Sequence, residues 1–186
     1  MKLYIKNMVC ARCIMVVKSE LEALDINPVS VKLGEVELLE DNIDSKMEEL
    51  IKRLHSLGFE WLDDKKSQTI EKIKNTIIQL VHYQNNNYKT KLSEILSREI
   101  GQEYSILSHL FSEVENTTIE KFYINQKIEK VKELLVYDEL TLSEISYQLN
   151  YSSVAHLSSQ FKKVTGFTPS HFKDLKDQKR NQIENL

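Results

Sequence analysis

The stretch from Thr141 to Phe172, TLSEISYQLNYSSVAHLSSQFKKVTGFTPSHF, constrains the chain more than any other. It opens with Thr141-x-x-Glu144, a pattern in which the two side chains each accept from the other residue's backbone N–H at a helix start. Leu142, Ile145 and Leu149 then recur on one helical face. Asn150 tolerates the left-handed conformation that stops a helix. A second helix is expected with Leu157, Phe161 and Val164 stacked at helical spacing, and Gly166 closes it. Thr168-Pro169 starts another, with threonine as N-cap and proline at the first helical position. Two short helices joined by a tight turn form a helix-turn-helix, whose second helix fits a DNA major groove.

The run Ile145-Ser146-x-x-Leu149-Asn150-Tyr151, then Leu157, then Phe161-Lys162-Lys163-x-x-Gly166-x-Thr168-Pro169 resembles the C-terminal signature of AraC/XylS-type bacterial transcription regulators. Ser146 stands for the usual small alanine, Asn150 for the usual glycine, and His156-Leu157 for the usual aromatic-containing pair. An earlier segment echoes this one. Leu96-Ser97-x-x-Ile100-Gly101 repeats as Ile145-Ser146-x-x-Leu149-Asn150, and each is followed by a leucine and then a phenylalanine. Two helix-turn-helix units joined by a long helix is the layout that the resemblance implies. The joining helix is expected to start at Thr117-x-x-Glu120 and to run through Phe122, Ile128, Val131, Leu134 and Leu135 to about Tyr137.

Before this region the periodicity changes. Leu3 to Met8 alternate like a strand, Val9 to Arg12 read as a loop, and Ile14, Val17, Leu21 and Leu24 follow a helical period. Strands are expected on either side of Gly34, then a helix carrying Met47, Leu50, Ile51, Leu54 and Leu57. Gly58 stops that helix and Phe59 to Leu62 reads as a last strand. The order βαββαβ is that of a ferredoxin-like α+β domain. An all-α domain follows, with Ile70, Ile73, Ile77, Leu80 and Val81 on its first helix and an Asn85-Asn86-Asn87 run ending that helix. The expected boundaries are 1–64 for the first domain, 65–69 for a polar linker and 70–186 for the helical domain.

Met8-x-Cys10-x-x-Cys13, with Gly58-Phe59 at the far end, resembles heavy-metal-associated domains, although Asn7 stands where that family usually has glycine. The resemblance implies that Cys10 and Cys13 bind a soft metal such as Cu(I) and that Met8 is a packing residue. Thiolates suit soft ions, and a cysteine near a helix N-terminus has a lowered pKa. Tetrahedral zinc would need two further ligands, and the neighbouring sequence offers no other Cys or His. Two-coordinate Cu(I), or a dimer sharing four sulfurs, fits better. A redox-active dithiol without metal remains the other reading of the pair.

On the first recognition helix, Ser105, Ser108, His109 and Ser112 lie opposite Leu107 and Phe111. On the second, Ala155, Ser159 and Lys162 lie opposite Leu157 and Phe161, with His156 and Lys163 at the margins. These are the candidate DNA-contacting residues, and Lys162 and Lys163 are the phosphate contacts expected of them. The formal net charge of −3 works against nucleic-acid affinity, so binding should be modest and strongly salt-dependent.

No phosphate-cradling glycine loop, metalloprotease helix or nucleophile elbow occurs, so no enzyme is expected. No apolar run reaches the roughly 20 residues of a membrane span, and lysines and arginines interrupt the apolar residues near the N-terminus. A cytoplasmic location is expected, with double-stranded DNA and a metal effector as partners and a homodimer as one assembly the layout allows. The expected function is sequence-specific transcription regulation, responsive to a soft metal or thiol redox signal. A soft-metal carrier, or a protein-interaction module whose helical half does not bind DNA, is the alternative that the sequence leaves open.

Overall fold

A computed structural model describes residues 1–84, 90–137 and 139–174. By contacts the chain divides into two units, one formed by Met1–Thr76 with Ser93–Leu110, the other by Ile77–Leu92 with the chain from Phe111 onward. The Asn85-Asn86-Asn87 run lies outside the described residues.

The first unit begins with β1 (Lys2–Lys6), α1 (Ala11–Ala23), β2 (Pro28–Lys32), β3 (Glu35–Leu38), α2 (Asp44–Ser56) and β4 (Glu60–Leu62). These form one four-stranded sheet in the order β2-β3-β1-β4, with every neighbouring pair antiparallel. The alternation along β1 buries Leu3 and Ile5, which with Val17, Leu21, Val36, Leu50 and Leu54 make an apolar core. Each such side chain withdrawn from water contributes about 1.5–3 kcal/mol. Met8 is fully buried among the core residues, as a packing methionine would be. Between β2 and β3, Gly34 turns at φ 74°, a backbone state glycine enters without Cβ strain.

Several expectations shift in detail. Helix α1 starts at Ala11, so Ala11 and Arg12 are helical rather than part of a loop, and Cys10 takes the N-cap position. Val29 and Leu57 are exposed: Val29 sits at the register shift of β2 against β3, between Pro28 and Ser30, and Leu57 is the C-cap residue of α2. Residues 65–69, expected as a linker, form the first turns of α3 (Lys65–Ile78). Asp64 explains the start: its carboxylate accepts from the Ser67 N–H at 2.8 Å, as an N-cap does.

Within the first unit, α3 meets the sheet through polar contacts. Lys72 Nζ stands 4.7 Å from the Tyr4 ring centre and 3.7 Å from a Glu35 carboxylate oxygen. Glu71, itself buried, accepts from the Asn7 backbone N–H at 3.3 Å. The same unit holds α4 (Leu92–Ile100), from Ser93 onward, and the first turns of α5 (Tyr104–Glu115).

In the second unit a π-helical turn (Gln79–Tyr83) buries Leu80 and Val81. It sits beside α6 (Ile119–Tyr137), where His82 Nε2 lies 3.1 Å from Gln126 Oε1. The joining helix starts one residue later than expected. Thr118, not Thr117, supplies the cap by accepting from the Lys121 N–H at 3.1 Å. Asn116 at φ 52° turns the chain just before, and Ile119 rather than a surface residue enters the core.

Helices α7 (Leu142–Gln148), α8 (Val154–Thr165) and α9 (169–174, as far as the described residues go) complete this unit. Ile128, Val131 and Leu135 of α6 pack with Ile145, Leu149, Tyr151, Leu157 and Phe161 in one cluster. Phe172 closes it edge-on to Phe161, with ring centres 5.6 Å apart. Val164, expected on the buried stripe of α8, is 42 % exposed instead. It lies one turn past Phe161 and is not part of the buried cluster.

Candidate functional site

The second helix-turn-helix is built from its caps inward. Thr141 and Glu144 form both bonds of the capping box at the start of α7. At the end of that helix Asn150 adopts φ 52°, the left-handed stop its side chain tolerates. Tyr151 N–H then returns to the Ser146 carbonyl at 2.9 Å, which fixes the turn. Ser146 is buried here, where a larger side chain would separate the helices. The Ser153 hydroxyl accepts from the His156 N–H and starts α8, a cap that only the serine-rich run ahead of the helix hinted at. Gly166 ends α8 at φ 83°, and Thr168 caps α9 by accepting from the His171 N–H.

With Leu157 and Phe161 fully buried, the outer face of α8 is open. Ala155, His156, Ser159, Lys162 and Lys163 are all exposed along it. His156 Nδ1 lies 2.9 Å from Ser152 Oγ, and its ring meets Tyr151 edge-on at 5.3 Å. Gln160 turns inward, accepting from the Tyr151 hydroxyl at 2.8 Å. Both lysines are exposed, and an ammonium group suits phosphate oxygens.

Helices α4 and α5 repeat the pattern. Gly101 turns at φ 76° between α4 and α5, Leu96 and Leu107 are fully buried, and Ser105 and His109 of α5 are exposed. Ser108 and Ser112 are half-buried, a less open position than the helical spacing alone implies. Thus α8 presents all five of its candidate residues outward, and α5 presents Ser105 and His109.

One supporting residue escaped the sequence reading. Lys127 of α6 is only 7 % exposed, and its ammonium stands 3.7 Å from the centre of the Tyr151 ring. Burial lowers its pKa from the usual 10.5 to about 8. The signal was a lysine placed between Ile124, Ile128 and Val131 on an otherwise apolar stripe. Burial also raises the Tyr151 phenol above its ordinary range.

The dithiol lies at the other end of the chain. Cys10 and Cys13 are half-buried, with sulfurs 3.3 Å apart. The Cys13 backbone N–H, then the Cys13 thiol, favour the Cys10 thiolate and lower its pKa, and Arg12 adds to this against a desolvation penalty. The soft donor set fits a soft metal ion, with two thiolates as ligands. Among the described residues no group of three or more Cys, His, Asp or Glu converges on a point, so the pair by itself leaves tetrahedral zinc two ligands short.

Residues 96–174 match the sequence profile of the helix-turn-helix domain family. That segment is similar to helix-turn-helix domains. The xylose operon regulatory protein of Escherichia coli K12 is 32 % identical over 101 residues, which are 53 % of this chain and 26 % of that protein. An uncharacterized HTH-type transcriptional regulator from the cgkA 5' region of Pseudoalteromonas carrageenovora is 28 % identical over 104 residues, 55 % of this chain and 61 % of that one. The chain therefore spans about a quarter of the first of these relatives and under two thirds of the second. Among solved structures, the C-terminal domain of AraT, a response regulator from Geobacillus stearothermophilus, aligns with a TM-score of 0.51 at 20 % identity over 60 % of this chain and 88 % of its own. A DNA-binding transcriptional dual regulator from Escherichia coli K-12 aligns with a TM-score of 0.50 at 17 % identity, over 63 % of this chain and 96 % of its own. These two share the fold of the part of the chain they cover. No described helix is long and apolar enough to cross a membrane.

Proposed function

We propose that the chain is a cytoplasmic transcription regulator of the AraC/XylS type that binds double-stranded DNA in a sequence-specific manner. The observation that carries this reading is the duplicated arrangement of a buried leucine–phenylalanine pair, on α5 and on α8, with exposed polar side chains on the opposite face, within the segment that matches the helix-turn-helix family. Lys162 and Lys163 hold phosphates, and the side chains Ser105, Ser108, His109, Ser112, Ala155, His156 and Ser159 meet the groove. The N-terminal sheet is, on this reading, a ferredoxin-like module of the heavy-metal-associated kind spanning 1–64. Its Cys10 and Cys13 take a soft metal such as Cu(I), or respond to thiol oxidation, and bias the DNA-competent state. Support for this part comes from the strand order, the burial of Met8 and the lowered pKa of Cys10.

The test selects genomic fragments retained by the full chain, then measures their affinity with and without Cu(I), and after replacing both cysteines by serine. A selected sequence motif, bound with a Cu(I)-dependent affinity that the serine variant lacks, is the expected result. Failure to retain any duplex at low salt refutes the DNA reading. Equal affinity in all metal and variant conditions refutes the sensing.

A further inference from the structure

Ile106 lies in the first turn of α5 and is 55 % exposed. The packing of α5 does not call for it there, since Leu107 and Phe111 supply the buried stripe. Aligning Leu107 and Phe111 with Leu157 and Phe161 places Ile106 at the position of His156, and Glu113 at that of Lys163. Residues seven apart lie nearly above one another on a helix. The same outward stripe therefore carries imidazole and ammonium on α8, but a branched hydrocarbon and a carboxylate on α5. The first pair can donate hydrogen bonds to the nucleic acid; the second has no side-chain donor to offer a phosphate.

The N-terminal residues of a recognition helix are those that reach base edges. The apolar group that base edges present in the major groove is the thymine 5-methyl. We infer that Ile106 is a specificity-determining residue that packs against a thymine 5-methyl in the stretch of duplex read by α5, an inference that rests on the DNA-binding reading above. The two readers then divide the work. Helix α8 supplies charge through Lys162 and Lys163, and α5 supplies discrimination through hydrocarbon contact with little help from phosphates.

The experiment begins with a duplex selected by the full chain from a random pool. Each thymidine is replaced in turn by deoxyuridine, which removes the methyl and keeps every hydrogen-bonding edge. At fixed salt, the wild-type chain should lose about four-fold in Kd at one or two positions, the equivalent of about one buried methylene. The Ile106→Ser variant, changed at an exposed site, should bind more weakly and show no loss at those same positions. Duplex binding that ignores every methyl, or a variant as methyl-sensitive as wild type, overturns the role of Ile106 while leaving DNA binding intact. Retention of no duplex at all overturns the DNA-binding reading and this inference with it.

Discussion

The Lys127 ammonium stands 3.7 Å above the centre of the Tyr151 ring, while the Tyr151 hydroxyl donates to Gln160 at 2.8 Å. Tyr151 is thus held between the long helix α6 and helix α8. A cation over an aromatic face gains electrostatic energy when both are dry, yet the same dryness opposes the charge. Desolvation prevails in the titration, since the Lys127 pKa falls to about 8.

That balance sets a pH dependence. Between the folded value of about 8 and the unfolded value of 10.5, the folded chain binds fewer protons here than the unfolded chain, so stability rises with pH across this window. Tyr151, raised by burial, acts oppositely above its ordinary value of 10, where the folded form keeps a proton that the unfolded form sheds. Thermal melts should show wild type gaining on the order of 2 kcal/mol relative to Lys127→Met as pH climbs from about 7.5 to about 9.5. Parallel pH profiles for the two proteins would show that the amine is not desolvated.

Affinity for duplex should depend on Lys162 and Lys163 through charge alone. Each Lys→Ala change should lower the slope of log K against log salt by about 1 and weaken all sequences alike. Filter binding over a salt series checks this. A change in sequence preference with an unaltered slope would make these residues base readers instead.

The β2–β3 turn should be intolerant of a side chain. A Cβ at Gly34 would collide with the Asn75 amide of α3, and φ 74° adds backbone strain. Gly34→Ala should cost about 1–3 kcal/mol in urea denaturation. In an Asn75→Ala background the collision vanishes, and only about 1 kcal/mol of backbone strain should remain. Asn75 Oδ1 already lacks a protein hydrogen-bond partner, so that background change should itself be mild. Equal costs in both backgrounds would place the strain in the turn alone.

Cys10 should react first. Its thiolate is favoured chiefly by the backbone N–H of Cys13, which a Cys13→Ser change retains. Alkylation mapped by mass spectrometry should therefore label Cys10 at a lower pH in the folded protein than in urea, and still do so in Cys13→Ser. Identical folded and unfolded profiles would remove the activation.

Much of the local structure was legible because it is written in short-range chemistry. The Thr141–Glu144 box, the left-handed Asn150, and glycines at Gly34, Gly58, Gly101 and Gly166 act within a few residues, and each falls where the pattern placed it. Periodicity likewise identified Ile70, Ile73, Ile77, Leu80 and Val81 as one buried face. It failed where two candidates competed for one role. Thr117 and Thr118 are chemically alike, and the burial of Ile119 decided between them.

Sequence alone determined the order of strands and helices, the Thr141 cap and the glycine and Asn150 stops, and the inward leucine and phenylalanine of α5 and α8, since these follow from backbone preference and hydrophobic spacing. Only the tertiary structure decided that Val164 and Ile106 stand in water, that Lys127 lies against Tyr151, and that Glu71 reaches the Asn7 backbone. An apolar residue is buried only if some other segment arrives to cover it, and a buried charge is tolerated only if a distant ring or N–H meets it. Those meetings depend on residues far apart in the chain, and spacing along the sequence does not record them.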